Sequence, residues 1–256
     1  MRARWMVNLA LLLLVALLSV LAQRELEREH RAAFLTGLDP GQIGEIVLER
    51  PAVPTVRLVR AGGRWEMAEP YRVDAEGERI AQLVRIAATP VYRSLPETDR
   101  AGDLGLAPER VRLTLEGLAM RFGDTDPIDE RRYVAVGGQV HLIDDGFWHH
   151  LTAPAEVWVS HRLIPADFLP VAAELDGKTL PEHVLAEMTA LGAEQVTALE
   201  GEIAGRLLAL RGAGGERLRI LVSDDGRRWT RLDLRLTYRI ADPPPWAVAR
   251  DPGPDG

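Results

Sequence analysis

Residues 131–144 read RRYVAVGGQVHLID, and the role of the Gly137-Gly138 pair decides what kind of fold the chain has. A phosphate-binding glycine loop runs from a strand into the N-terminus of a helix. Here the glycines lead instead into QVHLID, which alternates apolar and polar residues like the run before it. Two glycines between β runs signal a two-residue hairpin, because both central residues then take positive φ. The stretch therefore reads as a hairpin, with Tyr133 and Ala135 on one face and Val134 and Val136 on the other.

Working outward, the same alternation recurs. EIVLER (45–50) and TVRLVR (55–60) read as half-buried strands, and GGRWEM (62–67) turns into a third with Trp65 as its core anchor. Residues 75–88 carry Ile80, Leu83, Val84 and Ile86 at near-helical spacing. Asp74 is placed to cap that helix, with Glu76 and Glu78 at its positive end. Residues 103–117 read as a turn and a strand, and 152–164 as a short strand with a polar connection. After 170 comes an amphipathic helix over 180–191 with Pro181 in its first turn, then a strand meander punctuated by Gly and Asp. GGRWEM and DGRRWTRL (225–232) each place a Trp after a Gly-Arg turn, an echo compatible with a repeat or with chance. The expected fold is α+β: antiparallel β meanders with a few packed helices, in two similar subunits. The expected division is an anchor at 1–23, a stalk at 24–43, units at 44–169 and 170–246, and a disordered tail at 247–256.

The N-terminus sets the expected compartment. Residues 5–22, WMVNLALLLLVALLSVLA, contain only Asn8 and Ser19 as polar residues. As a helix they span about 27 Å at about 1.5 Å per residue, close to a hydrocarbon core of about 30 Å. Arg2 and Arg4 precede the run and favour a cytoplasmic N-terminus. It reads as a retained inner-membrane anchor or as a signal peptide cut after Ala22, and the length favours the anchor. Either way the remainder lies outside the cytoplasm. The net charge of -7 argues against nucleic acid as a partner, since phosphate neutralisation needs a basic surface. The chain has no cysteine, which excludes disulfides, thiolate nucleophiles and Cys-based zinc sites.

Candidate chemistry is sparse. Gly177-Lys178-Thr179, with Ala172 in the first position, satisfies a loosened phosphate-loop pattern, but Glu174 and Asp176 would repel phosphate. Pro170 and Pro181 deny it a framing strand and helix. His141, His149, His150 and His161 fall close together. Read as a strand, FWHHL would send His149 and His150 to opposite faces, away from a shared metal. Beyond the N-terminal segment, serine occurs only at Ser94, Ser160 and Ser223, none in a nucleophile elbow, and the neighbours Ser160 and His161 give no triad geometry. Asp144-Asp145 and Asp224-Asp225 read as turn residues. No catalytic, cofactor or metal residue is assigned, and no cofactor is expected.

With these features in order, the chain resembles the bacterial family called domain of unknown function 4340. The likeness covers roughly 44–165. It lies in the N-terminal apolar segment, the strands ending in GGRWEM, the helix at 76–88, Gly105-Leu106-Ala107-Pro108 with VRLTLEG, and FGDTDPIDERRYVAV-GG-QVHLID. The resemblance implies association with ABC-type transport or gliding-motility auxiliary systems, and it implies no catalytic residue. The expectation is a membrane-anchored extracytoplasmic interaction module, non-enzymatic, touching the bilayer through its N-terminal helix and membrane or envelope proteins through its body. A periplasmic small-ligand or envelope-polymer-binding protein is the alternative, and a hydrolase comes third.

Overall fold

The structure is a computed structural model and describes residues 33–97 and 99–249. The expected membrane anchor and residues 24–32 of the stalk lie outside the described residues. Among those described, no helix is long and apolar enough to cross a membrane.

Strands are numbered in chain order. β1 (Ala33–Phe34) pairs with β6 (Pro90–Val91) in a two-stranded ribbon. The first large sheet holds β2 (Glu45–Glu49), β3 (Val56–Ala61), β4 (Arg64–Glu69), β5 (Val73–Asp74), β7 (Arg93–Pro96), β8 (Val111–Leu115), β9 (Leu118–Thr125), β10 (Arg132–Val136) and β11 (Gln139–Ile143). The second holds β12 (Pro170–Leu175), β13 (Lys178–Thr179), β14 (Gln195–Ala198), β15 (Arg206–Gly212), β16 (Arg217–Val222), β17 (Arg228–Arg231) and β18 (Leu236–Arg239). Among the described residues the α-helices are α1 (Gly77–Val84), α2 (Trp148–Thr152) and α3 (Glu182–Ala190). The fold is α+β, with two antiparallel sheets of nine and seven strands.

The hairpin stands as read. β10 and β11 pair antiparallel with Val136 opposite Gln139, and Gly137 and Gly138 both have positive φ. Val134 and Val136 enter the main core, whereas Ala135 and Tyr133 pack on the other face with Leu106 and Val140. That second face is covered by the segment running through the 3-10 turn Asp99–Leu104 to Leu106. The backbone approach is so close that a Cβ on Gly123 would lie 2.2 Å from the Leu104 carbonyl oxygen.

The strand order is β5-β4-β3-β2-β8-β9-β10-β11-β7 in the first sheet and β13-β12-β15-β16-β17-β18-β14 in the second. Both follow one scheme. A hairpin comes first (β2-β3, β12-β13), then a helix (α1, α3). The next strand (β7, β14) crosses the sheet to pair with the last strand of a four-strand meander (β8 to β11, β15 to β18). The first sheet adds β4 and β5 at its hairpin edge. The tryptophan echo is not part of this scheme, because Trp65 lies in β4 and Trp229 in β17, which hold different places in it.

One apolar cluster runs through both sheets. It joins Ile46, Leu58 and Phe122 of the first to Leu208, Trp229 and Tyr238 of the second, with Ile80, Leu83, Val184 and Met188 from the helices. Each fully buried aliphatic side chain contributes about 1.5–3 kcal/mol.

Several expectations are corrected. Asp74 does not cap α1; Glu76 holds that position, and the Asp74 carboxylate accepts from the Ala166 amide at 2.9 Å. Trp65 is only half-buried, and Met67 is the β4 side chain that the core takes up. Residues 152–164 contain no strand. They form the end of α2 and the 3-10 turn Ala155–Trp158, and bury Trp158, Val159, Leu163 and Ile164. Residues 33–43, assigned to the stalk, belong to the body, because Leu35 and Ile43 join the core. The tail does not begin at 247: Ala247 is buried, and the Ala249 amide donates to the Asp224 carbonyl at 2.8 Å.

The two tryptophans should differ in weight. Trp229 is fully buried, donates from Nε1 to the Gly226 carbonyl and meets Trp246 edge-on at 5.5 Å. Trp229→Ala in the full chain should cost about 3–5 kcal/mol, and Trp65→Ala clearly less. Equal losses in denaturant unfolding would contradict this assignment of the core.

Candidate functional site

β14 is an edge strand. It pairs with β18 alone, and a cleft of about 840 Å³ lies along it and runs over β18 and β17. Every residue from Glu194 to Leu199 lines this cleft, as expected where the backbone edge itself forms the wall. The opposite wall comes from the other half of the molecule: Pro154, Glu156 and Val157 at the 3-10 turn, Arg79 of α1, and His161. Thr230 and Thr237, whose hydroxyls meet at 2.9 Å across β17 and β18, also line it. A smaller cavity of about 480 Å³ shares Arg79 and His161 and adds Glu76, Glu78, Gln82 and His150, so the polar trough continues toward α1.

Glu156 is held firmly in the wall. Its carboxylate accepts from the Tyr71 hydroxyl, and burial followed by this hydrogen bond pushes the Tyr71 phenol well above its ordinary range. Nearby, Arg50 donates to the Ala153 carbonyl; burial lowers its pKa, and the Glu156 charge opposes that shift. The trough is acidic. Glu76, Glu78, Glu156, Glu194, Glu200 and Glu202 face Arg79 and Arg228. An antiparallel edge strand leaves about half of its backbone donors and acceptors unused. The arrangement can therefore take an extended, basic or polar-rich segment alongside β14.

A second cleft of about 650 Å³ lies where β3, β4 and β5 meet Pro165, Asp167 and Arg231. Arg231 is buried. It donates from Nε and Nη2 to Asp233 at 3.2 and 2.6 Å, while Nη1 has no hydrogen-bond partner. The buried Tyr238 hydroxyl lies beside Arg231, and burial with the Asp233 and Asp74 charges pushes it up to about 12 against the charge and hydrogen bonding of Arg231.

The sequence candidates fall elsewhere. Lys178 is exposed, just past a two-residue turn in which Asp176 and Gly177 both have positive φ, so the phosphate-loop signature is a β12–β13 hairpin. The prolines do not remove the framing elements as expected, since Pro170 opens β12 and Pro181 caps α3, but the turn runs into β13 and not directly into the helix. His149 and His150 lie in α2, not on a strand, and their ring centroids are 3.8 Å apart with the planes tilted by 41°. Of the four clustered histidines, His161 and His150 reach the trough. Among the described residues no group of three or more His, Asp or Glu side chains gathers around a metal-sized point. The Ser160 hydroxyl accepts from the Arg162 amide, and Ser223 closes the 223–228 turn with Asp225. Asp145 pairs with buried Arg132, and Asp144 accepts from the Tyr92 hydroxyl. The contact that sequence reading missed is Ser94 Oγ with His141 Nδ1 at 2.8 Å, across β7 and β11. Only strand register brings these two residues together, and among the described residues no carboxylate bonds the ring to make a triad.

No family model, curated protein or solved structure matches the chain.

Asp233 is about half exposed, whereas its partner is buried, so Asp233→Ala strands a buried guanidinium and should cost about 3–5 kcal/mol. Arg231→Met should cost far less; the reverse order in urea unfolding would refute the reading. Burial first, then the charges of His149, Arg79 and Arg85, hold His150 below the ordinary histidine range. The unfolded state then binds this proton more readily. Its contribution to stability is complete above the unfolded value of about 6.5 and is lost as pH falls through that value toward the folded pKa. The melting temperature should drop on acidification below about pH 6.5, and less steeply in His150→Gln. Parallel profiles would show that His150 is not responsible.

Proposed function

We propose that the chain is a membrane-anchored extracytoplasmic interaction module, non-enzymatic, that serves an ABC-type transporter or envelope complex as an accessory. The observation that carries this reading is the free edge of β14 set along an acidic trough whose far wall belongs to the other half of the molecule. An extended segment of a partner can add to such an edge through main-chain hydrogen bonds, with side-chain pockets supplying selectivity. The six carboxylates of the trough favour a segment rich in Lys or Arg. The apolar N-terminal run and the resemblance to the domain of unknown function 4340 family support the membrane setting and the transporter association.

The trough also favours a second reading, a periplasmic protein that binds a small polar ligand or an envelope polymer. Its volume of about 840 Å³ and its lining of carboxylates and threonine hydroxyls suit such a ligand.

A photo-crosslinking residue at exposed Thr197, in the full chain in native membranes, separates the two. The expected product is a covalent adduct with a membrane or envelope protein that disappears when Glu200 and Glu202 are changed to Arg. An adduct with glycan or another non-protein polymer would move the second reading ahead. Labelling no stronger than from a probe at Lys178 would remove β14 as the docking edge.

A further inference from the structure

Three of the large apolar side chains left exposed lie where the β1–β6 ribbon adjoins the β9–β10 end of the first sheet. Phe34, Tyr92 and Ile128 are 58%, 50% and 85% exposed. Register and contacts connect them. Ala33 lies opposite Val91 and Phe34 opposite Pro90, so the chain enters the body beside Val91 and Tyr92. The Arg131 guanidinium sits 3.5 Å over the Tyr92 ring. Arg131 closes the β9–β10 loop, accepting on its carbonyl from the Asp126 amide at 2.7 Å. That loop is held open as a fixed tip, since the Asp129 amide donates to the Asp126 carboxylate and the Glu130 amide to the Asp126 carbonyl. Ile128 stands at its apex.

We propose that this end of the first sheet rests on the surface of the bilayer that holds residues 5–22, with Ile128 dipping among the headgroups. The proposal depends on reading those residues as an anchor. Ten residues, 23–32, separate the apolar run from Ala33. They reach at most about 35 Å when fully extended, so the entry end of the body cannot leave the neighbourhood of the membrane. An isolated patch of three side chains would bind lipid weakly. A short tether makes the contact intramolecular, and a weak surface then suffices. The aromatic rings suit the interfacial zone, where an apolar body and a polar edge are both accommodated. Exposed Asp129 and Glu130 flank Ile128, so neutral headgroups fit this face better than anionic ones.

The absence of cysteine allows a clean test. Ile128→Cys and Lys178→Cys would each carry one spin label, in the full chain reconstituted in phosphatidylcholine nanodiscs. The supporting result is an oxygen-to-nickel accessibility ratio several-fold higher at 128 than at 178, in a chain that resists carbonate extraction. A label at 128 that stays aqueous in a carbonate-resistant chain overturns the contact and leaves the anchor standing. A chain washed out by carbonate removes the anchor and this proposal together. Burial of the label only on addition of a second membrane protein overturns the lipid assignment in favour of a protein partner.

Discussion

Each of the two sheets has one apolar face, and neither half carries enough helix to cover it. The five α-helical residues of α2, the eight of α1 and the nine of α3 are too few for that task. The faces are therefore buried in one common core, and this constraint governs the rest of the molecule. Aromatics make up only 5% of the chain, so the core is filled mainly by Leu, Ile and Val, with Trp158, Trp229, Tyr238 and Phe122 as its bulkiest members. Antiparallel sheets commonly keep one face solvated. Here the outer face of the hairpin end is covered as well, by the segment that presses against Gly123.

The shared topology of the halves has a consequence for the sheet edges. A crossover strand that closes each meander leaves an edge at that end of each sheet, β7 in one and β14 in the other. The two edges have different neighbours. β14 lies beside the 3-10 turn Ala155–Trp158 of the first half, and the gap between them is the acidic trough. An edge that would otherwise be an aggregation liability is thereby flanked by charge, one of the ways natural sheets discourage edge-to-edge pairing.

Two buried arginines mark different physical situations. Arg132, in the hairpin that opened the sequence reading, is bonded to Asp145 through two nitrogens and to the Gly123 carbonyl through the third, with Trp148 against its face at 3.5 Å. Every nitrogen has a partner, and the clamp fastens the hairpin to the start of α2. Arg231 has a carboxylate on one side and an unused Nη1 on the other. The first arginine therefore acts as a rivet within the first half, whereas the second borders the cleft between the sheets beside Tyr238.

The amino-acid sequence by itself determined most strand periods, the Gly137-Gly138 hairpin, the two apolar-faced helices and the strand meander after the second of them, but not the strand that opens at Pro170. All of these are local: alternation, turn chemistry and helical spacing act over a few neighbouring residues. The acids Glu174 and Asp176 mark the GKT run as a poor phosphate loop without a fold, whereas the prolines misled, because Pro170 opens β12 and Pro181 caps α3. Tertiary structure decided the rest. Whether Trp65 or Met67 enters the core depends on what the opposing sheet presents, and a capping role for Asp74 was lost to the Ala166 amide 92 residues away. The strand misread over 152–164 is a turn because its apolar residues fill the seam between two sheets. Register alone made the Ser94–His141 contact, and the β14 trough exists only where two halves distant in sequence meet. Such long-range pairings leave no period and no motif, so only the folded chain reveals them.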